Sequence, residues 1–446
     1  MKNSGVEWIG EIPEDWDVTR SKNIFTQRSS RGNDVEEQLA ATQQHGMYPQ
    51  KLLEGVVQVK EDTDLQQFKT VHKNDYVISL RSFQGGFEMS DYEGVCSPAY
   101  QVFYNTIPIS YRYYKYLFKS DGFISKMNSL IVGIREGKNI QYKDFSNSPI
   151  IIPPKSTQQR IASYLDKKCS KIEETIQNQQ QVIEKLKAYK QSLITEAVTG
   201  KIKIQNGKVC GKYQSYKDSG VEWIGKIPSE WEVGKTGMFT YVTKLAGFEF
   251  TDIMMDKISE NGDVPIVRAQ NVRMFKFNKE IINEYIDLST SNTLNRCCLD
   301  KKCLLITFIG AGIGDICIFD ESIRYHLAPN VAKIEIRNFA KTKLCEEFLM
   351  YYIGSEPGKR EIANISKVAA QPSLSMETIR KIKLCIPPFE EQKLIVDYLY
   401  PKCLSIDKTI EQKQELIVKL TEYKKSLIYE CVTGKKESNK CMNVNQ

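Results

Sequence analysis

The sequence has few groups suited to acid–base or metal chemistry. Its 446 residues include only three histidines, His45, His72 and His326, which lie far apart along the chain. The twelve cysteines form no Cys-x-x-Cys pair and share no metal-ligand spacing with a histidine. This composition predicts reduced, mostly buried thiols, no metal site, and little general-base chemistry beyond tuned carboxylates.

Long hydrophobic runs are also missing. No apolar stretch approaches the roughly 20 residues of a membrane span, and "MKNSGVEWIG" lacks the apolar core of a signal peptide. We therefore expect a cytoplasmic protein with no membrane partner.

Nucleotide-binding signatures are incomplete. The sequence contains no GxxxxGK[ST] motif, and "GKTG" at 234–237 has Ser229 where the upstream glycine is needed. The stretch "FIGAGIGD" (308–315) imitates a dinucleotide or S-adenosylmethionine fingerprint, but "DICIFD" follows it and is strand-like. The Asn/Asp-Pro-Pro-Tyr/Phe tetrapeptide of adenine methyltransferases is missing as well. We predict a β-turn at 308–315, no cofactor bound by this chain, and no catalytic activity.

The bulk composition is that of a folded protein with a mildly basic surface. Hydrophobic residues make up 41% of the chain, and 62 basic against 55 acidic residues give a net charge of +7. Such a charge permits a polyanionic partner but is only weak evidence for nucleic acid.

Two repeats run through the sequence. "SGVEWIGEIPEDW" (4–16) returns as "SGVEWIGKIPSEW" (219–231), with ten of thirteen positions identical, and the pair contains all four Trp residues. We call these segments box 1 and box 2. A longer repeat matches 152–201 with 386–435, and each copy runs from Pro-Pro to "VTGK". The offsets are 215 and 234 residues, so the chain consists of two similar halves, the second with a longer middle.

The longer repeat has the heptad pattern of a coiled coil. Its apolar positions alternate in spacings of three and four residues, which places them on one seam. The seam positions are Cys169, Ile172, Ile176, Gln179, Ile183, Leu186, Lys190, Leu193 and Ala197 in the first copy, and Cys403, Ile406, Ile410, Lys413, Ile417, Leu420, Lys424, Leu427 and Cys431 in the second.

We predict that these two helices pair with each other. The Pro-Pro pairs prevent an earlier start, Gly200 and Gly434 are natural C-caps, and about 34 residues give a rod of roughly 50 Å. The alternative is two ordinary amphipathic helices, each packed on its own domain.

The segments between box and helix differ in sequence but share the same order of strand-like stretches and turn residues. Residues 75–104 and 303–336 each read as a strand, a glycine turn, a second strand, a Pro-containing loop and a third strand. Helical stretches follow in both halves. We predict an α+β protein with two α/β domains whose sheets are partly antiparallel.

These variable segments also contain side chains that suit base edges. Arg and Lys match guanine, whereas Asn and Gln pair with adenine, although solvated loops are about as plausible for any single residue. The candidate DNA-binding residues are Arg81, Ser82, Gln84, Arg135, Lys138, Asn139, Arg268, Gln270, Asn271, Arg273, Lys276, Asn330, Lys367, Gln371 and Ser373.

The order box, variable segment, Pro-Pro and heptad helix, present twice, resembles the specificity subunit of type I restriction–modification systems. The resemblance covers nearly the whole chain and rests on the two boxes, on "IPPKSTQQRI" and "IPPFEEQKLI", and on the two helices ending in "VTGK". The first copy departs from the Pro-Pro-x-x-Glu-Gln pattern, because Thr157 stands where the second has Glu391.

The resemblance implies a non-catalytic subunit of a larger complex. Two target recognition domains (1–152 and 219–386) would each read half of a split, asymmetric site in double-stranded DNA. The helical spacers (153–218 and 387–436) would pair antiparallel in a pseudo-twofold repeat and set the gap between half-sites, and a tail (437–446) would follow.

The resemblance also implies partners. Two methyltransferase subunits and two restriction/translocase subunits would hold S-adenosylmethionine, ATP and Mg²⁺. The four Trp residues would anchor each box to its own domain or helix. Two rival hypotheses are a non-catalytic coiled-coil scaffold joining two protein partners, and a methyltransferase–specificity fusion, which the missing tetrapeptide argues against.

Overall fold

The chain divides into two compact units, and each contains part of both long helices. A computed structural model of the chain describes residues 1–32, 37–43, 45–53, 65–80, 85–130, 140–310, 312–366 and 374–436. Unit 1 comprises Met1–Gln180 with Lys413–Gln446, and unit 2 comprises Gln181–Gln412. The domain boundaries proposed from the sequence at 152, 218, 386 and 436 stay a prediction.

Unit 1 begins with short strands and continues into three helices. Its elements are β1 (Lys2–Asn3), β2 (Glu11–Ile12), β3 (Asp17–Arg20), β4 (Phe25–Gln27), β5 (Leu39–Thr42), β6 (Gly46–Pro49), β7 (Lys69–Val71), β8 (Tyr76–Ile78), β9 (Phe87–Met89), β10 (Gly94–Cys96), β11 (Gln101–Asn105), α1 (Tyr111–Phe118), α2 (Asp121–Ser129), α3 (Tyr142–Asn147), β12 (Pro149–Ile152) and the first part of α4 (Lys155–Val198).

Unit 2 follows the same plan with additional strands. Its elements are β13 (Lys203–Gln205), β14 (Lys208–Gly211), β15 (Tyr216–Asp218), β16 (Lys226–Pro228), β17 (Glu232–Lys235), α5 (Thr236–Phe239), β18 (Thr240–Lys244), α6 (Gly247–Glu249), β19 (Val264–Val267), β20 (Val272–Arg273), β21 (Lys276–Phe277), β22 (Tyr285–Ile286), α7 (Leu288–Thr293), β23 (Cys298–Leu299), β24 (Cys303–Thr307), β25 (Ile316–Phe319), β26 (Tyr325–Leu327), β27 (Val331–Ile336), α8 (Glu346–Ile353), α9 (Glu356–Ser366), α10 (Met376–Lys381), β28 (Lys383–Ile386) and α11 (Phe389–Val432).

The main sheet has the same strand order in both units. Unit 1 has the order β4-β11-β8-β9, and unit 2 has β18-β27-β24-β25, with every pair antiparallel. Among the strand ladders in the described residues, only β19 with β26 is parallel. The short strands β10 and β26 precede the two Pro-containing loops, so each segment has four strands where the sequence predicted three.

Both boxes form the same hairpin, which leads into a strand beside the Pro-Pro pair. In unit 1, β1 pairs with β2, and β3 pairs with β12. In unit 2, β15 pairs with β16, and β17 pairs with β28. Trp16 and Trp231 are buried and Trp8 and Trp223 are half-buried, and each packs in the apolar cluster of its own unit, as expected of anchors.

The long helices start directly after the Pro-Pro pairs and each contains 44 residues, about ten more than the predicted rod. At about 1.5 Å per residue each helix is roughly 66 Å long. The additional first turns pack on their own unit, through residues such as Ile161 and Leu165 in unit 1 and Ile395 and Leu399 in unit 2. This part matches the alternative of an amphipathic helix on its own domain.

The rest of each helix follows the predicted seam. Every predicted seam residue is buried or half-buried, including Ile172, Ile176, Ile183, Leu186, Leu193, Ile406, Ile410, Ile417, Leu420 and Leu427. In unit 1, one apolar cluster contains Ile172 of α4 and Leu427 of α11, and in unit 2 another contains Leu193 and Cys403. The helices therefore pack on each other within each unit, which confirms the coiled coil.

Polar contacts between the helices establish the antiparallel direction. In unit 2, Lys190 Nζ lies 2.6 Å from Asp407 Oδ2. In unit 1, Lys413 Nζ donates to Gln179 Oε1 at 2.8 Å, and Lys424 pairs with Glu173. Residues that lie later in α4 contact residues that lie earlier in α11, as an antiparallel pair requires.

Both helices end in the Schellman motif. Gly200 has φ +69° and Gly434 has φ +74°, the left-handed region that favours glycine. Lys201 N–H donates to Glu196 O, and Lys435 N–H donates to Glu430 O, each at 2.9 Å.

Candidate nucleic-acid interface

Six of the fifteen candidate DNA-binding residues lie within the described part of the chain. Outside it lie Arg81, Ser82, Gln84, Arg135, Lys138, Asn139, Lys367, Gln371 and Ser373. The six described residues all belong to unit 2, and five of them lie between 268 and 276.

The segment 268–278 is a turn followed by the β20–β21 hairpin. Asn271 is only 1% exposed, its Oδ1 accepts from Arg268 N at 2.8 Å, and its Nδ2 donates to Asn278 O at 3.1 Å. The amide is used in holding its own turn and offers no group to a ligand. Asn271 is better explained as the residue that fixes the hairpin than as a reader of bases.

Three side chains on this hairpin face solvent. Gln270, Arg273 and Lys276 are exposed, whereas Arg268 is 33% exposed and paired with Glu284. Lys276 Nζ lies 3.8 Å from Glu411, and both side chains are more than 60% exposed. An ion pair this exposed contributes little to stability, so Lys276 can leave Glu411 and contact a phosphate instead.

Arg273 belongs to a charged cluster that the sequence did not indicate. Burial raises the pKa of Asp315, and the positive charges of Arg273 and Lys359 oppose that increase. Burial also lowers the pKa of Lys359, whose Nζ donates to Gln191 Oε1 at 2.7 Å. Two cations therefore lie near one carboxylate at the edge of the β24–β25 hairpin.

Asn330 has a backbone role. Its φ is +79°, and its carbonyl accepts from Phe308 N at 3.0 Å. Asparagine tolerates this left-handed conformation better than most residues do. The side chain is half-exposed, so Asn330 keeps a group that solvent or a ligand can reach.

The glycine-rich stretch 308–315 connects two antiparallel strands. β24 ends at Thr307, β25 begins at Ile316, and the two pair from Cys303↔Phe319 to Ile306↔Ile316. Gly310 and Gly314 have φ of +105° and +86°. A strand and not a helix follows the glycines, which confirms the predicted turn.

Unit 1 contains a cavity of about 420 Å³ between β5, β6 and the β8–β9 pair. Its lining residues are Ala41, Thr42, Gln43, His45, Leu53, Ser79, Gly86 and Glu88. Glu88 is 3% exposed and pairs with Lys119. Burial raises the pKa of Glu88 to about 7, although Lys119 acts in the opposite direction.

This carboxyl makes the stability of unit 1 depend on pH. Its pKa is higher in the folded chain than the ordinary 4.5, so the folded state loses stability as pH rises from 4.5 to 7, by up to about 3 kcal/mol. We therefore expect the melting temperature of Glu88→Gln, relative to that of the original chain, to be higher at pH 8 than at pH 5. Thermal unfolding at both pH values measures this, with the exposed Glu93→Gln as control; parallel pH profiles for original and Glu88→Gln would contradict it.

The buried histidine is not a solvent-facing base. His326 is fully buried, and its ring nitrogens lie 2.9 Å from Leu327 O and 3.3 Å from Leu294 O. Burial lowers its pKa. Throughout the described ranges, no group of three or more His, Cys, Asp or Glu side chains could hold a metal ion.

A buried glutamine, which sequence reasoning missed, connects each Pro-Pro pair to its unit. Gln392 donates to Pro387 O and Lys343 O and accepts from Cys345 N. Gln158 donates to Pro153 O at 2.8 Å and accepts from Ser110 N at 2.8 Å. Both residues stand five positions after the first proline of their pair, and that repeated spacing was the available signal.

None of the described helices is long and apolar enough to cross a membrane. None of the eleven cysteines in the described part of the chain forms a disulfide, and nine of them are buried.

Comparison with known proteins gives a consistent result. The family model "Type I restriction modification DNA specificity domain" matches twice, over residues 13–187 and 228–422. The chain is 26% identical over 311 residues to the type I restriction enzyme MjaVIII specificity subunit of Methanocaldococcus jannaschii, covering 67% of this chain and 64% of that protein. It is 23% identical over 312 residues to the EcoBI specificity subunit of Escherichia coli, covering 68% and 61%. The matches thus span less than two thirds of these relatives.

A solved structure shares the fold. It comes from work on complex assembly and conformational transition of the type I restriction–modification system, and it superposes with a TM-score of 0.69 at 12% identity. The match covers 96% of this chain and all of that one.

Proposed function

Because the chain belongs to the type I restriction–modification DNA specificity domain family, we propose that it is the subunit that reads DNA sequence for such a system. Each unit reads one half of a bipartite, asymmetric site in double-stranded DNA. The chain itself is non-catalytic and directs methyltransferase and restriction subunits, two of each, to that site.

The observation that carries this proposal is the identical strand order of the two main sheets, β4-β11-β8-β9 and β18-β27-β24-β25. The sheets share a topology, but the loops they hold differ in sequence and length. A common scaffold with different loops is what two readers of different half-sites need, because base recognition resides in side chains on the scaffold.

In unit 2 the reading surface is the part that exposes Gln270, Arg273 and Lys276. Gln270 suits an adenine edge, whereas Arg273 suits a guanine edge or, like Lys276, a phosphate. The buried amide of Asn271 holds the hairpin that presents them. S-adenosylmethionine, ATP and Mg²⁺ belong to the partner subunits.

The test is an exchange of one reader. Replacing residues 17–150 by the corresponding segment of another specificity subunit should change one half-site and leave the other intact, because the second half has its own sheet and loops. Sequencing of N6-methyladenine in cells that express the complete system measures this. Altered bases in both halves would contradict independent reading.

Binding of the subunit together with its methyltransferase should also weaken steeply as salt increases, since phosphate contacts release counterions. Affinity that ignores both salt and sequence would favour the coiled-coil protein scaffold instead.

A further inference from the structure

Three polar contacts between α4 and α11 are related by the repeat itself. Lys424 follows Lys190 by 234 positions, which is the repeat offset, and Asp407 follows Glu173 by the same number. The pairs Lys190–Asp407 in unit 2 and Lys424–Glu173 in unit 1 are therefore the same contact made once in each unit.

The third contact joins a position to its own equivalent. Lys413 follows Gln179 by 234 positions, and Lys413 Nζ donates to Gln179 Oε1 at 2.8 Å. In an antiparallel pair of repeated helices, this is the one place where a residue meets its counterpart. Both side chains are half-buried in the seam.

The outer contacts do not distinguish this pairing from a wrong one. If α4 paired in the same register with α4 of a second copy, Lys190 would meet Glu173, again with opposite charge. If α11 paired with α11, Lys424 would meet Asp407. The apolar seams are also alike, since Ile stands at matching positions in both. Neither charge nor burial at these positions favours the partner within the chain.

The central contact does distinguish them. Pairing of α4 with α4 places Gln179 against Gln179, which is neutral, but pairing of α11 with α11 places Lys413 against Lys413. Two ammonium groups at this distance in a half-buried seam repel each other. A dimer of whole chains that joins like helices contains one such pair, and the pairing within one chain contains none.

We propose that Gln179 and Lys413 make α4 and α11 of one chain select each other over the same helix of a second copy. The pair determines the partner, as single polar seam residues do in other coiled coils. This inference is independent of the proposed role in DNA recognition.

The test uses four full-length chains. They are the original, Gln179→Lys, Lys413→Gln, and the double exchange that places Lys at 179 and Gln at 413. Each is unfolded, refolded at high concentration as an equal mixture of two tagged forms, and assayed for mixed dimers by tandem capture and sedimentation velocity. Two chains can also form a dimer in which α4 of one chain pairs with α11 of the other. Such a dimer has the same central contact as the single chain, so it adds the same background of mixed dimers for all four chains.

Both single variants should form mixed dimers at a frequency roughly threefold to tenfold higher than the original, because all pairings then have equivalent central contacts. The double exchange should return to the original level. Gln179→Lys should also melt ~3 °C lower, and the double exchange should recover that loss.

If residues 179 and 413 only stabilised the fold, the double exchange should form at least as many mixed dimers, and melt at least as low, as the more strongly affected single variant. That result overturns the proposal, and so do equal dimer fractions in all four chains, including none in any of them.

Discussion

Gly200→Ala should lower the melting temperature of unit 2 by roughly 10 °C. A Cβ at Gly200 would lie 2.3 Å from Pro228 Cδ and 3.2 Å from Trp231 Cη2. The left-handed φ of +69° adds about 1–2 kcal/mol for any residue with a Cβ, and the steric overlap adds another 1–3 kcal/mol. Thermal unfolding of the full chain measures the loss.

The matched control is Gly207→Ala. Gly207 also belongs to unit 2 and has φ +68°, but nothing lies within 4 Å of a Cβ there. It should lose only the backbone contribution, about 3 °C. An equal decrease in melting temperature for Gly200→Ala and Gly207→Ala would mean that box 2 does not pack closely against the end of α4.

The equivalent position in unit 1 should behave alike. A Cβ at Gly434 would lie 2.4 Å from Pro13 Cδ and 3.1 Å from Trp16 Cη2. Gly5, with φ +71° and open space around its Cβ, is the control in that unit. Box 1 thus packs on the end of α11, and box 2 packs on the end of α4, which explains why the chain needs two boxes.

The helices were the part of the fold that the sequence could predict well. Heptad spacing depends on one helix at a time, so the seam from Cys169 to Ala197 could be read without knowing the partner. The length of α4 was underestimated, because its first turns pack on unit 1 through residues such as Ile161, which lies outside the heptad frame.

The sheets were only partly predictable. Alternation and turn residues indicate strands, but strand order depends on contacts between distant segments, such as β4 with β11. The three-residue strands β10 and β26 are too short to have a recognisable period.

Site residues are harder still, because one side-chain type serves several purposes. Asn271 and Gln270 are neighbours with the same amide chemistry, yet one is buried in its own turn and the other is exposed. Only the path of the backbone from Arg268 to Asn278 separates these roles. The cluster around Asp315 was missed because Arg273 and Lys359 approach this carboxylate in space and not in sequence.

The second large effect is expected at the buried glutamine after each Pro-Pro pair. Gln392 is fully buried, and its amide satisfies the carbonyls of Pro387 and Lys343 and the N–H of Cys345. Gln392→Ala leaves these three backbone groups without a partner, and each costs about 1–3 kcal/mol when buried. We expect a total loss of about 3–5 kcal/mol, which should appear as a lower denaturant midpoint for unit 2.

Two further variants separate the hydrogen bonds from helix propensity and volume. Gln412→Ala makes the same change at an exposed position of α11 and should shift the midpoint little. Gln392→Glu keeps the shape and can accept from Cys345, but its carboxylate cannot donate to either carbonyl. It should therefore be more destabilising at pH 8 than at pH 5, where protonation restores one donor. If Gln392→Ala matched Gln412→Ala, the amide would not be what holds the start of α11 to its unit.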